Sequence, residues 1–252
     1  MDQIWMVFIA LAFVAAIAGA IDSISGGGGL IAIPSLLWVG LSPAEALATN
    51  KLQAVFGKLS AVRYYHCKGL IDWRSIRFPF VCALMGGAIG SITIQIFDDS
   101  TLHFILPWLI GAAAIYILFS PAVGDIDSGQ RVGMITFSVF IVVPLSFYDG
   151  FFGPASGSLF TLAFAALLGK SIVSAVAHGK LLLLAANSSA LAFFVAGGEV
   201  QWGIGFAMAI GQWVGAQIGS ALVRRNGVKL VRPMTLAMCC IVVTTLIWDS
   251  YI

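Results

Sequence analysis

The chain has 252 residues, of which 60% are apolar and 10% charged, with a formal net charge of +2 and a mean hydropathy of +1.01. A water-soluble domain of this composition would aggregate, and a charge this small and scattered gives no footing for nucleic acid. The solvent that suits the sequence is a lipid bilayer, so the chain reads as an all-α, polytopic transmembrane helical bundle.

Apolar runs of spanning length lie at residues 4–21, 46–66, 78–97, 102–121, 131–148, 172–196, 203–223 and 231–249, each near the twenty or so residues a helix needs to cross hydrocarbon. The first follows Met1-Asp2-Gln3 rather than a basic stretch, so it reads as a retained span and not a cleaved signal. Two shorter apolar runs, 30–41 and 158–169, reach about 18 Å at 1.5 Å per residue, little more than half the hydrocarbon thickness. Each follows a glycine-rich stretch, Asp22 to Gly29 in one case and Asp149 to Gly157 in the other, where a continuous helix is disfavoured. These are expected half-helices after a break. Cys67, Cys82, Cys239 and Cys240 lie in or beside apolar runs without metal-ligand spacing, so neither a disulfide framework nor a metal or cofactor site is indicated.

The breaks belong to an internal repeat. Lys51-Leu52 matches Lys180-Leu181, Gly69 matches Gly198, Trp73 matches Trp202 and Gly90-Ser91 matches Gly219-Ser220, every pair 129 residues apart. Asp22 and Asp149 are 127 apart. The chain therefore divides into a first transmembrane repeat at 1–121, a polar linker at 122–130 and a second repeat at 131–252. Loop charge orients them. Arg63, Lys68, Arg74 and Arg77 surround the loop after the third segment, while its counterpart at 197–202 has no basic residue; at the next loop the bias reverses, with Arg224, Arg225, Lys229 and Arg232 in the second half. If basic loops stay cytoplasmic, the halves are inverted relative to each other, the pattern of secondary transporters. Ten crossings with both termini outside satisfy all basic loops, Arg131 and Lys170 included; eight would not.

Lys51 and Lys180 are the most informative single residues. Ser42-Pro43-Ala44-Glu45 is a capping box with proline at the first helical position. Nine residues on, after about 13–14 Å of rise, Lys51 lies near the bilayer midplane, and Lys180 stands equally far from Ser171. An unpaired ammonium there costs at least about 2.5–3.5 kcal/mol, so it either lines a path for substrate or is a structural lysine paired with Asp22, Asp149 or helix carbonyls. Gly26, Gly27, Gly28 and Gly29, with Ser156, Gly157 and Ser158 in the second half, would open short helices whose N-termini suit an anion. Two adjacent lysines would suit a divalent anion best. Asp22 and Asp149 could carry coupling protons, pair with the lysines or cap the breaks. His178 titrates near neutrality, and Asn50, Gln53 and Asn187 add polar groups that could contact substrate or merely bond between helices. Gly86 with Gly90 and Gly215 with Gly219 read as close-packing motifs.

Together, Ala18-Gly-Ala-Ile-Asp22, Gly26-Gly-Gly-Gly-Leu30, Pro34, Pro43, Ala48-Thr-Asn-Lys-Leu52, Ile71-Asp-Trp73, Asp149-Gly-Phe-Phe-Gly-Pro154, Gly157-Ser158, Ala177-His178, Lys180-Leu181 and Arg232-Pro233 resemble the TauE/SafE family of sulfite and sulfonate exporters over nearly the whole chain. The resemblance implies a multi-pass transporter of the cytoplasmic (inner) membrane, not an enzyme, exporting sulfite, an organosulfonate or a related small oxyanion with coupling to an ion, the identity of that ion and assembly into a homo-oligomer being open. The sequence departs from the pattern at Pro154-Ala-Ser-Gly157, where glycine is expected nearer the serine. Two other readings remain: a transporter of a cation or neutral solute using the two aspartates, and an intramembrane hydrolase using Ser156 and His178. The second needs those side chains within hydrogen-bond reach.

Overall fold

The structure is a computed structural model that describes residues 2–119 and 129–226. Its helices are α1 (Asp2–Ser25), α2 (Gly29–Trp38), α3 (Pro43–Cys67), α4 (Trp73–Ile94), α5 (Asp99–Phe119), α6 (Met134–Phe151), α7 (Ser156–Leu168), α8 (Ile172–Gly197) and α9 (Trp202–Asn226). No strand occurs among the described residues. Most of the expected linker, and the expected last span at 231–249 with Lys229, Arg232, Cys239 and Cys240, lie outside them.

Polarity runs from the inside out. Ile9, Phe13, Val81, Met85, Phe140 and Ile210 are exposed, while Asp22, Lys51, Lys58, Asp149, Lys180 and Asn187 are buried. That distribution suits hydrocarbon outside and a polar seam within. Five helices, from α1, α4, α6, α8 and α9, are long and apolar enough to cross a membrane. The protein is a multi-pass membrane protein. Helix α3 is as long but is the polar spine, burying Thr49, Asn50, Lys51, Gln53, Lys58 and Ser60. Its start is fixed by the capping box, with Ser42 Oγ accepting from Glu45 N–H at 3.3 Å and Glu45 Oε2 accepting from Ser42 N–H at 2.9 Å.

Helix boundaries keep the spacing seen in the sequence. Pro43 and Ile172, the first residues of α3 and α8, are 129 apart, as are Trp73 and Trp202, the first residues of α4 and α9. Gly29 and Ser156 open the short helices α2 and α7, 127 apart. Helices α3 and α9 run the same way, because Gln201 meets Glu45 and Thr49 at one end and Arg224 meets the Tyr64 hydroxyl at the other. Helix α8 runs alongside α4, with His178 against Asp72 near their starts and Gly197 against Gln95 near their ends. One end of the bundle is acidic. There Asp98, Asp99 and Glu199 line a 340 Å³ pocket with Gln95 and Gly197, and the Ser100 and Thr101 hydroxyls hold the Asp98 carboxyl below its usual range.

Small residues set the closest helix contacts. A Cβ on Gly86 would stand 2.5 Å from the Val143 carbonyl of α6, and one on Gly215 or Gly219 would overlap the Ala16 or Ala20 carbonyl of α1. These are packing surfaces. Within α6, residues Ser138–Val142 form a π turn directly before Pro144, whose ring lacks an N–H and displaces the carbonyl four residues earlier.

Candidate functional site

Both helix breaks lie in the interior and touch each other. Gly26 sits at φ +75°, a conformation glycine adopts without strain, and a Cβ there would come 2.5 Å from Gly157 Cα. The second break uses Gly153, at φ +109°, and Ala155, at φ 68°. Ala155 thus holds a left-handed conformation where glycine would be the unstrained choice, at the place where the sequence departs from its expected pattern.

A helix that stops inside the membrane leaves carbonyls without intrahelical partners. Lysines from the other half of the chain bond carbonyls at these ends, that of Asp149 and, alongside the Gly26 N–H at 2.8 Å, that of Asp22. Lys180 Nζ donates to the Asp22 main-chain carbonyl near the end of α1, and to Asp22 Oδ2 at 2.9 Å. Lys51 Nζ donates to the Asp149 main-chain carbonyl near the end of α6 and lies 3.8 Å from Asp149 Oδ2. Each ammonium also stands beside a glycine of a break, since a Cβ on Gly153 would be 3.1 Å from Lys51 Nζ and one on Gly157 3.5 Å from Lys180 Nζ. The ion pairs therefore cross between the two halves.

A second set of contacts stays within each half. Lys58 Nζ donates to Asp22 Oδ2 at 2.6 Å. Asn187, which stands 129 residues after Lys58, donates to Asp149 Oδ2 at 2.7 Å, and Ser156 Oγ donates to Asp149 Oδ1 at 2.6 Å. Asp22 thus meets two ammoniums, while Asp149 meets one ammonium, an amide and a hydroxyl. In their ordinary charge states, three lysines against two aspartates leave one positive charge in the interior. Such an excess is costly in a low-dielectric surround unless a counter-ion joins it.

Three comparisons bear on what this arrangement serves. The profile of the sulfite exporter TauE/SafE family matches residues 11–246. The chain belongs to the TauE/SafE family. It is 41% identical over 234 residues to a probable membrane transporter protein of Haemophilus influenzae, covering 93% of this chain and 92% of that one. Against the probable membrane transporter protein YfcA of Escherichia coli K12 it is 41% identical over 241 residues, covering 96% and 90%. The probable membrane transporter protein YunE of Bacillus subtilis is 22% identical over 251 residues, covering 90% of this chain and 92% of that one. No solved structure matches the chain. The chain is accordingly a membrane transporter.

Against the residues singled out by sequence in this TauE/SafE chain, the structure gathers Asp22, Gly26, Lys51, Asp149, Ser156, Gly157, Lys180 and Asn187 into one cluster, with Ser158 donating to the Ser25 carbonyl beside it. Gly27 and Gly28 are buried in the first break, and Gly29 packs on Pro154. Others are engaged elsewhere. Asn50 Oδ1 accepts from Gln53 Nε2 at 3.0 Å. His178 Nδ1 is 2.7 Å from the Ser174 carbonyl, and its Nε2 accepts from the Asp72 N–H at 3.3 Å, so the ring caps the start of α4. Ser156 and His178 are each bonded to other groups and do not pair with each other; the hydroxyl beside the ring is that of Ser174, 3.3 Å from His178 Nδ1. The two lysines are not adjacent free charges either, since each faces a carboxylate. Sequence reasoning does not single out Lys58, which lies inside an apolar run, although it follows Lys51 by two helical turns on the same face.

Proposed function

We propose that this protein is a secondary transporter of the cytoplasmic (inner) membrane that exports a small sulfur oxyanion, sulfite or an organosulfonate, by moving one half of the chain against the other around the meeting point of the two broken helices. The observation that carries the reading is the buried cluster of Lys51, Lys58 and Lys180 with Asp22 and Asp149, where cations outnumber carboxylates beside two interior helix starts. An oxyanion entering there meets fixed positive charge and helix N-termini in place of its water. The sulfite exporter description of the family supports the substrate class. A cation carrier using the aspartates is disfavoured, because both carboxylates already face ammoniums.

Opposite directions of the equivalent helices support inverted repeats: α3 starts at the acidic end beside Gln201, whereas α8 finishes there beside Gln95. The other end carries Arg74 and Arg224 and on the charge rule faces the cytoplasm. Coupling to an ion has its best sites at the Lys51–Asp149 and Lys180–Asp22 pairs, which must both part if the halves separate. Proteoliposomes test the reading. Purified protein should accelerate efflux of sulfite or sulfoacetate over empty vesicles and should discriminate against potassium and neutral sugars; faster cation flux with no anion flux would contradict it.

A further inference from the structure

Within the buried cluster, the two halves differ in one charge at one repeated position. Lys58 and Asn187 stand 129 residues apart, both buried, and each donates to the aspartate of its own half, Lys58 to Asp22 at 2.6 Å and Asn187 to Asp149 at 2.7 Å. The cross-half pairs carry the same charges, Lys180 on Asp22 at 2.9 Å and Lys51 on Asp149 at 3.8 Å. The excess positive charge of the cluster is therefore the charge of Lys58, and it sits on the first half's aspartate.

We infer that Lys58, set against Asn187, determines the charge of the anion carried, and that the site accepts a singly charged sulfonate-type anion ahead of a doubly charged one. This rests on the anion reading above and makes it narrower. The cost of holding net charge in a low-dielectric interior grows with the square of that charge, whichever its sign. A monoanion takes the cluster from one positive charge to none. A dianion takes it to one negative charge, no better screened than the empty site. The site thus favours sulfonate and hydrogensulfite over sulfate, and Lys58 is a specificity-determining residue.

The asymmetry also supplies the variants. Lys58→Asn copies a contact the fold already makes at Asn187, and leaves Asp22 its Lys180 partner. Asn187→Lys raises the cluster by one charge. The double exchange moves the excess charge to the other half. Affinities of the purified full chain would be measured at constant ionic strength for methanesulfonate, singly charged at every working pH, and sulfate, doubly charged.

Wild type should bind methanesulfonate at least about tenfold more tightly than sulfate, given the size of a one-charge mismatch at short range. Lys58→Asn should lose at least about tenfold of its methanesulfonate affinity while Lys58→Arg keeps most of it. Asn187→Lys should shift the ratio of the two affinities at least about tenfold toward sulfate, and the double exchange should return it to the wild-type value. Should Lys58→Asn fail to fold, Asn187→Lys still decides through its ratio of the two affinities. Equal binding of both anions by wild type, or an unchanged ratio in Asn187→Lys, would overturn the inference and leave the anion reading standing. Absence of any anion binding by folded wild type would overturn both.

Discussion

Lys51 and Lys180 carry equal charge in equivalent positions, yet they hold different shares of the fold. Lys51 is the one ion-pair partner of Asp149 among the described residues, whereas Asp22 keeps Lys58 when Lys180 is removed. Stranding a buried carboxylate costs about 3–5 kcal/mol. Lys51→Ala should therefore lower the melting temperature clearly more than Lys180→Ala, and adding Asp149→Asn should recover much of the loss; equal losses would argue against the pairing. His178 stands apart from these charges. Because its ring takes the Asp72 N–H and bonds the Ser174 carbonyl, His178→Ala should cost about 1–2 kcal/mol of stability and leave anion affinity within about twofold. A large loss of affinity at unchanged melting temperature would assign the ring to the substrate path. Residue identity at this scale was only partly legible. The repeat offset isolated Lys51 and Lys180, but their partners lie 98 and 158 residues away, and no local periodicity encodes which carboxylate a distant ammonium meets.

Helices were far more legible than contacts, because their signals are local. Ser42, Pro43 and Glu45 fix the start of α3 through a capping box, and glycine marks both breaks, joined by Pro154 in the second. The π turn at Ser138–Val142 is not legible in the sequence, since Pro144 in an apolar run predicts a kink without its form. The break itself is constrained by contact between halves. Gly26→Ala would strain a residue at φ +75° and drive its methyl into the Gly157 backbone, so it should destabilise the protein by more than about 2 kcal/mol. Thermal denaturation of the purified variant in detergent would check this. Ala155→Gly, which relieves a left-handed alanine at φ 68°, should be neutral or mildly stabilising; a marked drop would mean the alanine methyl contributes packing that outweighs its strain.

Across the whole molecule, the account depends on two halves that face each other in opposite senses and exchange lysines at the centre. Loop charge leads to the expectation of opposite senses, and the lysine exchange is seen only in the fold. Cysteines placed at Leu70 and Glu199 in a cysteine-free background should be labelled from opposite sides of the membrane, Leu70 from the cytoplasm. The charge of the centre was the part least visible in the sequence, because Lys58 sits inside an apolar run and only the fold brings it onto Asp22. The most direct measurement of the central claim is anion affinity taken together with melting temperature on purified Lys180→Ala, the variant expected to stay folded because Lys58 still pairs with Asp22. The account predicts a folded protein whose affinity for sulfite and methanesulfonate is at least about tenfold weaker than wild type, as loss of a full charge beside the anion requires. Wild-type affinity in a variant that has only lost stability would make Lys180 scaffold and place the anion elsewhere.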